Sequence, residues 1–191
     1  MNGIAILGLN GGGKSTLAHV LAKKIGYFEM DVEDYYFPEQ STSRKWSLDN
    51  HSIIETEYLG ELPFSNPRNT NEVQSAILKD IEENSQFILA GVTMNWNEEI
   101  LSKIDIAFVV QTPVEERLRR LQMREEKRFG MRVLVGGDMY EQQKKFREVV
   151  KEKDLKAVEE GVNRLKCPVV VLDGMKTVED NLEKIMSKLK I

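Results

Sequence analysis

Glycine, lysine and serine are clustered at a fixed spacing near the start of the chain. Residues 8–15 read GLNGGGKS and match G-x-x-x-x-G-K-[ST], with Gly8, Gly13, Lys14 and Ser15 in the fixed positions. Glycines adopt backbone conformations closed to other residues and carry no Cβ, so successive N–H groups can surround phosphate oxygens. The lysine would reach the β- and γ-phosphates, and the serine hydroxyl would bind Mg²⁺. The motif therefore predicts binding of ATP with Mg²⁺.

The motif requires a strand before it and a helix after it, and the sequence supplies both. Residues 4–7 are apolar, and Leu17, Val20, Leu21 and Ile25 then recur at helical spacing. The residues predicted to contact the nucleotide are Gly8, Asn10, Gly11, Gly12, Gly13, Lys14, Ser15 and Thr16.

Three carboxylates follow the second predicted strand, in the stretch MDVEDYY. Asp31, Glu33 and Asp34 would lie at the carboxyl edge of a parallel sheet, where ligands bind. A carboxylate there can orient a substrate hydroxyl, accept its proton, or hold magnesium through water. The alternative is a solvated acidic loop. We take Asp31 and Asp34 as catalytic candidates, and the choice between them stays open.

Residues 115–132 are rich in arginine, and a helix is predicted across most of them. Its core stripe is Val114, Leu118 and Leu121. The arginines that share one face of this helix are Arg117, Arg120, Arg124 and Arg128. Guanidinium groups bind phosphate through paired hydrogen bonds, and one arginine over a transferring phosphoryl group contributes a large rate factor. The alternative is a solvated helix with i, i+4 ion pairs.

Glycines beyond this helix predict a mobile segment. Phe129-Gly130 and Gly136-Gly137 would act as hinges, which makes residues 117–137 a candidate lid over the phosphates. Arg124 and Arg128 lie nearest the first hinge, so we assign them to catalysis. Because neither lies on the predicted apolar stripe, we expect their removal to change stability little.

Apolar runs alternate with helical patterns along the chain. The five predicted strands fall at residues 4–7, 27–31, 87–90, 104–110 and 169–172. This alternation predicts an α/β fold with a five-stranded parallel sheet flanked by helices. Thr112 is predicted to cap the arginine-rich helix, with Pro113 at its first position and Glu115 closing a capping box. Residues 37–70 are polar and irregular, and we assign them to acceptor binding.

Composition limits the possible functions. The 191 residues suffice for one domain, residues 1–191, and the formal net charge of −4 disfavours a nucleic-acid substrate. Cys167 is the only cysteine, which suits a reducing cytoplasm. No apolar run has the length of a membrane span. Trp46 and Trp96 are read as core residues.

The chain resembles the nucleoside-monophosphate-kinase-like branch of P-loop kinases, which includes adenylate, cytidylate and shikimate kinases, and small bacterial AAA-type ATPases. The resemblance rests on GLNGGGKST, EMDVEDYY, the arginine-rich stretch and CPVVVLDG, in that order. It implies the P-loop NTPase fold, an arginine-rich lid, Mg-ATP as donor and phosphoryl transfer to a small-molecule or nucleotide acceptor. The chain departs from the branch at Ala90-Gly91, where relatives often carry an aspartate before the glycine.

Three functions are consistent with these features. The leading hypothesis is a kinase acting on a small molecule or nucleotide, which the arginine-rich segment favours. The second is a nucleotide-binding regulatory protein with slow ATPase activity, which the missing aspartate favours. The third is an end-processing kinase acting on RNA or DNA, which the acidic net charge disfavours.

Overall fold

The computed structural model describes residues 1–41, 44–46, 53–55, 64 and 66–189. The strands it contains are β1 (Gly3–Leu7), β2 (Phe28–Asp31), β3 (Arg44–Trp46), β4 (Ile53–Glu55), β5 (Phe87–Gly91), β6 (Ile106–Gln111) and β7 (Val169–Asp173). The α-helices are α1 (Lys14–Ile25), α2 (Val32–Tyr36), α3 (Pro38–Ser41), α4 (Thr70–Glu83), α5 (Glu98–Leu101), α6 (Val114–Phe129), α7 (Tyr140–Glu152), α8 (Lys156–Asn163) and α9 (Val178–Met186), and a 3₁₀ turn spans Gly130–Val133. Within this part of the chain, no helix combines the length and apolar character that a membrane crossing needs.

The main sheet has five parallel strands in the order β2-β5-β1-β6-β7. This confirms the predicted fold class. Because all five strands run the same way, their carboxyl ends meet at one edge. β1 lies at the centre, so the residues that follow it have β2 and β5 on one side and β6 and β7 on the other.

The core lies on both faces of this sheet. In β1, Ala5 and Leu7 pack into one cluster, while Ile4 and Ile6 pack into the other. All four side chains are fully buried, and they alternate because successive side chains of a strand point to opposite faces. Burial on both faces explains why the strands appear in the sequence as unbroken apolar runs.

Two helix ends have the residues that typically begin or end a helix. Gly26 ends α1 with a φ of 75° and donates its N–H to the carbonyl of Ala22. Thr177 and Asp180 form a capping box at the start of α9. Both features agree with the sequence.

The predicted acceptor segment, residues 37–70, is only partly described. Residues 42, 43, 47–52, 56–63 and 65 lie outside the described part. The described part contains α3 and an antiparallel pairing of β3 with β4, although no regular spacing of apolar residues predicts these elements. Trp46 is half-buried and stacks on the His19 ring, with centroids 3.7 Å apart. Trp96 is buried in the core, as predicted.

Candidate active site

The loop between β1 and α1 curls back on itself at the carboxyl edge of the sheet. The amide of Gly8 donates to the carbonyl of Gly91 at 3.3 Å, and the amide of Gly12 donates to the carbonyl of Leu9 at 3.0 Å. Gly11 has a φ of 78°, and a Cβ there would lie 2.5 Å from a backbone oxygen of α6. No larger residue fits this position. Residues 8–15 are called the phosphate loop from here on.

The start of α1 offers hydrogen-bond donors at the end of this loop. The helix begins at Lys14, its N-cap is Gly13 with a φ of 94°, and no side chain caps it. The first turn of a helix carries N–H groups without intrahelical partners and the positive end of the dipole, which favours anions. The glycine cradle and this helix start are suited to binding phosphate, and Lys14 and Ser15 are the first two residues of the helix.

Thr112 does not cap α6 as predicted. The helix begins at Val114, Pro113 is its N-cap, and no side chain bonds to its first turn. The Thr112 hydroxyl instead donates to the carbonyl of Gly12 at 3.1 Å. This tertiary hydrogen bond ties the strand end of β6 to the phosphate loop, which local sequence rules cannot anticipate.

Within the described residues, three cavities adjoin the phosphate loop. The Arg120 cavity, of about 230 Å³, is lined by Gly12, Gly13 and Thr16 of the loop region and by Arg120, Gly174 and residues 176–178. Arg120 donates to the carboxylate of Glu116 at 2.6 Å and to the carbonyl of Gly174 at 2.9 Å. These bonds hold its guanidinium on the β6–β7 side of the loop.

Glu116 holds two arginines of α6 at once. Hydrogen bonds from Arg119 and Arg120 lower the pKa of this carboxyl to about 2, so it stays ionised at neutral pH. Arg119 is exposed, and within the described part of the chain its side chain bonds only along its own helix, to Glu116 and Met123. It therefore serves as a control arginine in the experiments below.

The acidic cavity lies on the other side of the phosphate loop. It measures about 340 Å³, and Lys14, Asp31, Glu33, Tyr36 and Trp96 are among its lining residues. Asp31 ends β2 and accepts the amide of Glu33 at 3.0 Å, so it caps α2. This geometry brings the predicted Lys14 and Asp31 to one cavity. Asp34 is not part of its lining.

A contact between α2 and α4 holds α2, and the acidic residues Asp31, Glu33 and Asp34 at its start, against the core. The Tyr35 hydroxyl donates to the Asp80 carboxylate at 2.5 Å, which joins α2 to α4. Burial, followed by the contact with Asp80, raises the pKa of Tyr35 well above its usual value. The Trp96 indole nitrogen is buried and has no hydrogen-bond partner within the described ranges. A donor without a partner on the wall of a cavity favours a ligand with an acceptor atom there.

The phenylalanine cavity is the third, and it measures about 360 Å³. Its aromatic walls are Phe37, Phe64, Phe129 and Phe146. Its polar lining includes Asn10 of the phosphate loop, Glu33 of α2, and Arg124, Glu125 and Arg128 of α6. Glu33 therefore lines both this cavity and the acidic cavity.

Helix α6 buries a face different from the predicted one. Arg117, Leu121, Glu125 and Arg128 are buried, whereas Val114 and Leu118 are only half-buried. Arg117 donates to the carbonyls of Val150 and Lys153, each at 3.4 Å, so it binds the end of α7. The predicted core stripe is therefore wrong except at Leu121, because α7 supplies hydrogen-bond partners that allow Arg117 and Glu125 to be buried.

The two arginines assigned to catalysis both line the phenylalanine cavity, in different settings. Arg128 is only 2% exposed, and its guanidinium lies 5.4 Å and 5.0 Å from the centres of the Phe64 and Phe129 rings. Arg124 is half-buried and makes no hydrogen bond to any residue that the structure describes. Contact of either arginine with phosphate stays a prediction.

Burial of Arg128 predicts a loss of stability that its sequence position did not suggest. We expect Arg128→Ala to lower the free energy of unfolding by about 2 kcal/mol, since a desolvated cation over aromatic rings contributes about that much. Urea unfolding followed by circular dichroism measures it. Arg119→Ala is the control, and equal unfolding midpoints for the two variants would contradict the expectation.

Sequence reasoning left several of these residues out of the candidate site. Glu33 was grouped with the acidic residues but not assigned, although its position two residues after the α2 cap was visible. Arg120 was grouped with the arginines of one helix face but not assigned to the site. Thr112 and the phenylalanines had no sequence signal for this role, because tertiary contacts bring them to the loop. Among the described residues, no cluster of three or more His, Cys, Asp or Glu side chains can hold a metal.

The parallel sheet, the glycine cradle and the uncapped start of α1 define a P-loop kinase fold of the nucleoside-monophosphate-kinase-like branch. The chain belongs to the AAA domain family, whose model matches residues 4–132. That match includes the phosphate loop, the carboxylates Asp31, Glu33 and Asp34, and the whole of α6.

The chain is similar to a bacterial protein and to solved kinase structures. The chain is 28% identical to the uncharacterized protein YqaC of Bacillus subtilis (strain 168), over 97% of this chain and 96% of that protein. A sugar kinase from Janibacter sp. HTCC2649 has a TM-score of 0.55 at 14% identity, covering 98% of this chain and 93% of the other. Deoxyadenosine kinase from M. mycoides with bound dATP has a TM-score of 0.54 at 17% identity, covering 100% of each chain. At these identities the structural likeness shows the fold.

Proposed function

We propose that the protein is an ATP-dependent kinase that transfers the γ-phosphoryl group of Mg-ATP to a small-molecule or nucleotide acceptor. The observation that carries this proposal is the pair of cavities on opposite sides of the phosphate loop. The Arg120 cavity lies towards β6 and β7, and the acidic cavity lies towards β2 and β5. A transferase needs a donor site and an acceptor site with the phosphates between them.

In this proposal the Arg120 cavity takes the base of ATP, with the guanidinium of Arg120 against its face. The triphosphate then runs along the glycines to Lys14, which stabilises charge on the β- and γ-phosphates. Ser15 and Asp31 are the residues that would hold Mg²⁺, which neutralises phosphate charge when bound. The sugar kinase and the deoxyadenosine kinase are named for acceptors that carry hydroxyl groups, consistent with such an acceptor here.

The proposed step conserves atoms and charge. The acceptor hydroxyl oxygen forms a bond to the γ-phosphorus while the bond from that phosphorus to the β,γ-bridging oxygen breaks. ADP leaves with the electron pair of the broken bond, and the hydroxyl proton passes to the Glu33 carboxylate. Glu33 is assigned because it lines both the acidic and the phenylalanine cavities.

Acceptor-dependent release of ADP tests the proposal. The purified protein is incubated with Mg-ATP and separate panels of nucleosides, nucleotides, sugars and short oligonucleotides, and ADP is measured by a coupled assay. We expect one panel to raise ADP release at least tenfold above the rate without acceptor. A rate that no panel changes would contradict kinase function.

Ser15→Ala tests the magnesium assignment. Because the hydroxyl is the proposed metal ligand, we expect the loss of ATP affinity to be several-fold larger with Mg²⁺ than with EDTA. Isothermal titration under both conditions measures this difference. Ser15→Thr keeps the hydroxyl and should retain the response to Mg²⁺. Equal losses for Ser15→Ala in the two conditions would contradict the assignment.

The alternative is a regulatory protein that hydrolyses ATP slowly. The Ala90-Gly91 pair at the end of β5 favours it, because no carboxylate stands at this position beside the phosphate loop. Such a protein would release ADP at one low rate whatever small molecule is added.

A further inference from the structure

The phenylalanine cavity has walls suited to a flat apolar ring. Its volume of about 360 Å³ lies in the range of small-molecule sites. The Phe37 and Phe64 rings meet edge to face, with centroids 5.2 Å apart and planes at 89°. Phe129 is 3% exposed and Phe146 is half-buried. Aromatic side chains held in place in this way bind planar rings at low entropic cost.

Two buried oxygen atoms of the residues that line this cavity lack hydrogen-bond donors within the described part of the chain. The side chains of Glu125 and Asn10 both line the cavity. Oε1 of Glu125 and Oδ1 of Asn10 are buried and have no hydrogen-bond partner in the described part of the chain. Glu125 is 3% exposed, and its other oxygen accepts a hydrogen bond from Arg147. Buried oxygens without donors are costly, and a ligand that brings N–H or O–H groups relieves that cost.

The polar lining offers groups that can pair with a ligand. Glu33 and Glu125 carry carboxylates, and Arg124 and Arg128 carry guanidinium groups. Arg147 pairs with Glu125, so the charged groups at the cavity carry no net negative charge. An amide, Gln143, is 4% exposed on the same wall and adds both a donor and an acceptor. A sugar alone would leave the phenylalanine walls without a planar partner.

The position of the cavity connects this ring site to the proposed chemistry. Asn10 belongs to the phosphate loop, and Glu33 also lines the acidic cavity beside Lys14. A ligand bound among the phenylalanines can therefore direct a substituent of its ring towards the proposed position of the γ-phosphate.

We propose that the phosphoryl acceptor is a nucleoside, whose base lies in the phenylalanine cavity and whose sugar hydroxyl reaches Glu33. This inference rests on the proposed kinase function. The base N–H groups donate to Glu125 and Gln143, and the sugar hydroxyl donates to Glu33. The bonds formed and broken are those of the phosphoryl transfer given above.

Direct binding to the whole 191-residue chain tests this inference without turnover. Adenosine, guanosine, cytidine, uridine and their 2′-deoxy forms are titrated by calorimetry in the absence of ATP. Phe146→Ala should weaken the best nucleoside at least fivefold, the lower end of what a base–aromatic stack contributes, and leave ATP affinity unchanged. Phe146 belongs to none of the hydrophobic core clusters of the described residues, so the variant should fold. Val149→Ala removes an apolar side chain that is 53% exposed on the same helix, and it should change neither affinity.

The outcomes separate this inference from the proposed function. Nucleoside binding that is weakened by Phe146→Ala, together with nucleoside-dependent ADP release, supports both. If nucleosides bind in this way but no panel of acceptors releases ADP, the cavity assignment stands and the kinase proposal falls. If sugars or nucleoside monophosphates release ADP while no nucleoside binds, the kinase proposal stands and the nucleoside inference is overturned. Equal nucleoside affinities for the parent protein and Phe146→Ala also overturn it.

Discussion

Replacing Lys14 with alanine should lower turnover by about a hundredfold or more, the usual loss when one positive or hydrogen-bonding group is removed from a developing phosphate or oxyanion charge. Lys14 begins α1 and lines the acidic cavity, between the glycine cradle and Asp31. In the proposed site, its ammonium group would contact phosphate from the acceptor side. The loss should appear in kcat and in ATP affinity, since lysine contacts both the ground state and the transition state.

Lys24→Ala is the matched control for this variant. It removes the same charge from the opposite end of the same helix, where the side chain is exposed. Steady-state ADP release and calorimetric ATP binding are measured for both proteins, and thermal unfolding confirms that both fold. Unchanged turnover and affinity in folded Lys14→Ala would remove the phosphate-loop assignment, and with it the proposed donor site.

The sequence predicted the central sheet well because parallel strands buried on both faces have a simple signature. Ile4 and Ile6 face one side and Ala5 and Leu7 the other, so no polar residue interrupts the run. The phosphate loop was predictable for a related reason. Its glycines satisfy local backbone requirements, such as the φ of 78° at Gly11, and local requirements are visible in a sequence.

Helix α6 was the least predictable element. Periodicity assumes that charged residues face water, but Arg117 and Glu125 are buried because α7 supplies carbonyls and Arg147 as partners. Burial raises the pKa of the Glu125 carboxyl above its ordinary value, although Arg147 opposes that shift. Neither partner is close in sequence, so no local pattern identifies the buried face.

The sequence predicted only those parts of the candidate site that are formed by residues close together in the chain. Asp31 was assigned because it ends a strand, and the structure places it with Lys14 at one cavity. The phenylalanine cavity joins residues 37, 64, 129 and 146, which are far apart in the chain. Phe64 also has a φ of 61°. Phenylalanine rarely adopts this conformation, so the sequence does not predict it. Long-range packing sets this part of the site.

Removal of Arg124 should slow acceptor-dependent turnover at least tenfold, or about 1.4 kcal/mol of barrier, while ATP affinity changes much less. Arg124 lines the cavity that contains Asn10 of the phosphate loop, and it makes no hydrogen bond to the described residues. Its guanidinium is thus available to charge that develops on the transferring phosphoryl group. An interaction made mainly in the transition state lowers kcat without a matching change in ground-state binding.

Arg119→Ala and Arg128→Ala are the comparison variants that separate a catalytic effect of Arg124 from effects of charge or stability. Arg119 shares the helix and the charge but is exposed and paired with Glu116, so its loss should leave kcat unchanged. Arg128 is buried against Phe64 and Phe129, so its loss should lower stability as well as activity. Steady-state kinetics with the acceptor found by the screen, and calorimetric ATP binding, are compared for the three variants. If Arg124→Ala turns over at the rate of the parent and of Arg119→Ala, α6 supplies no catalytic arginine at this position, and the slow ATPase alternative gains.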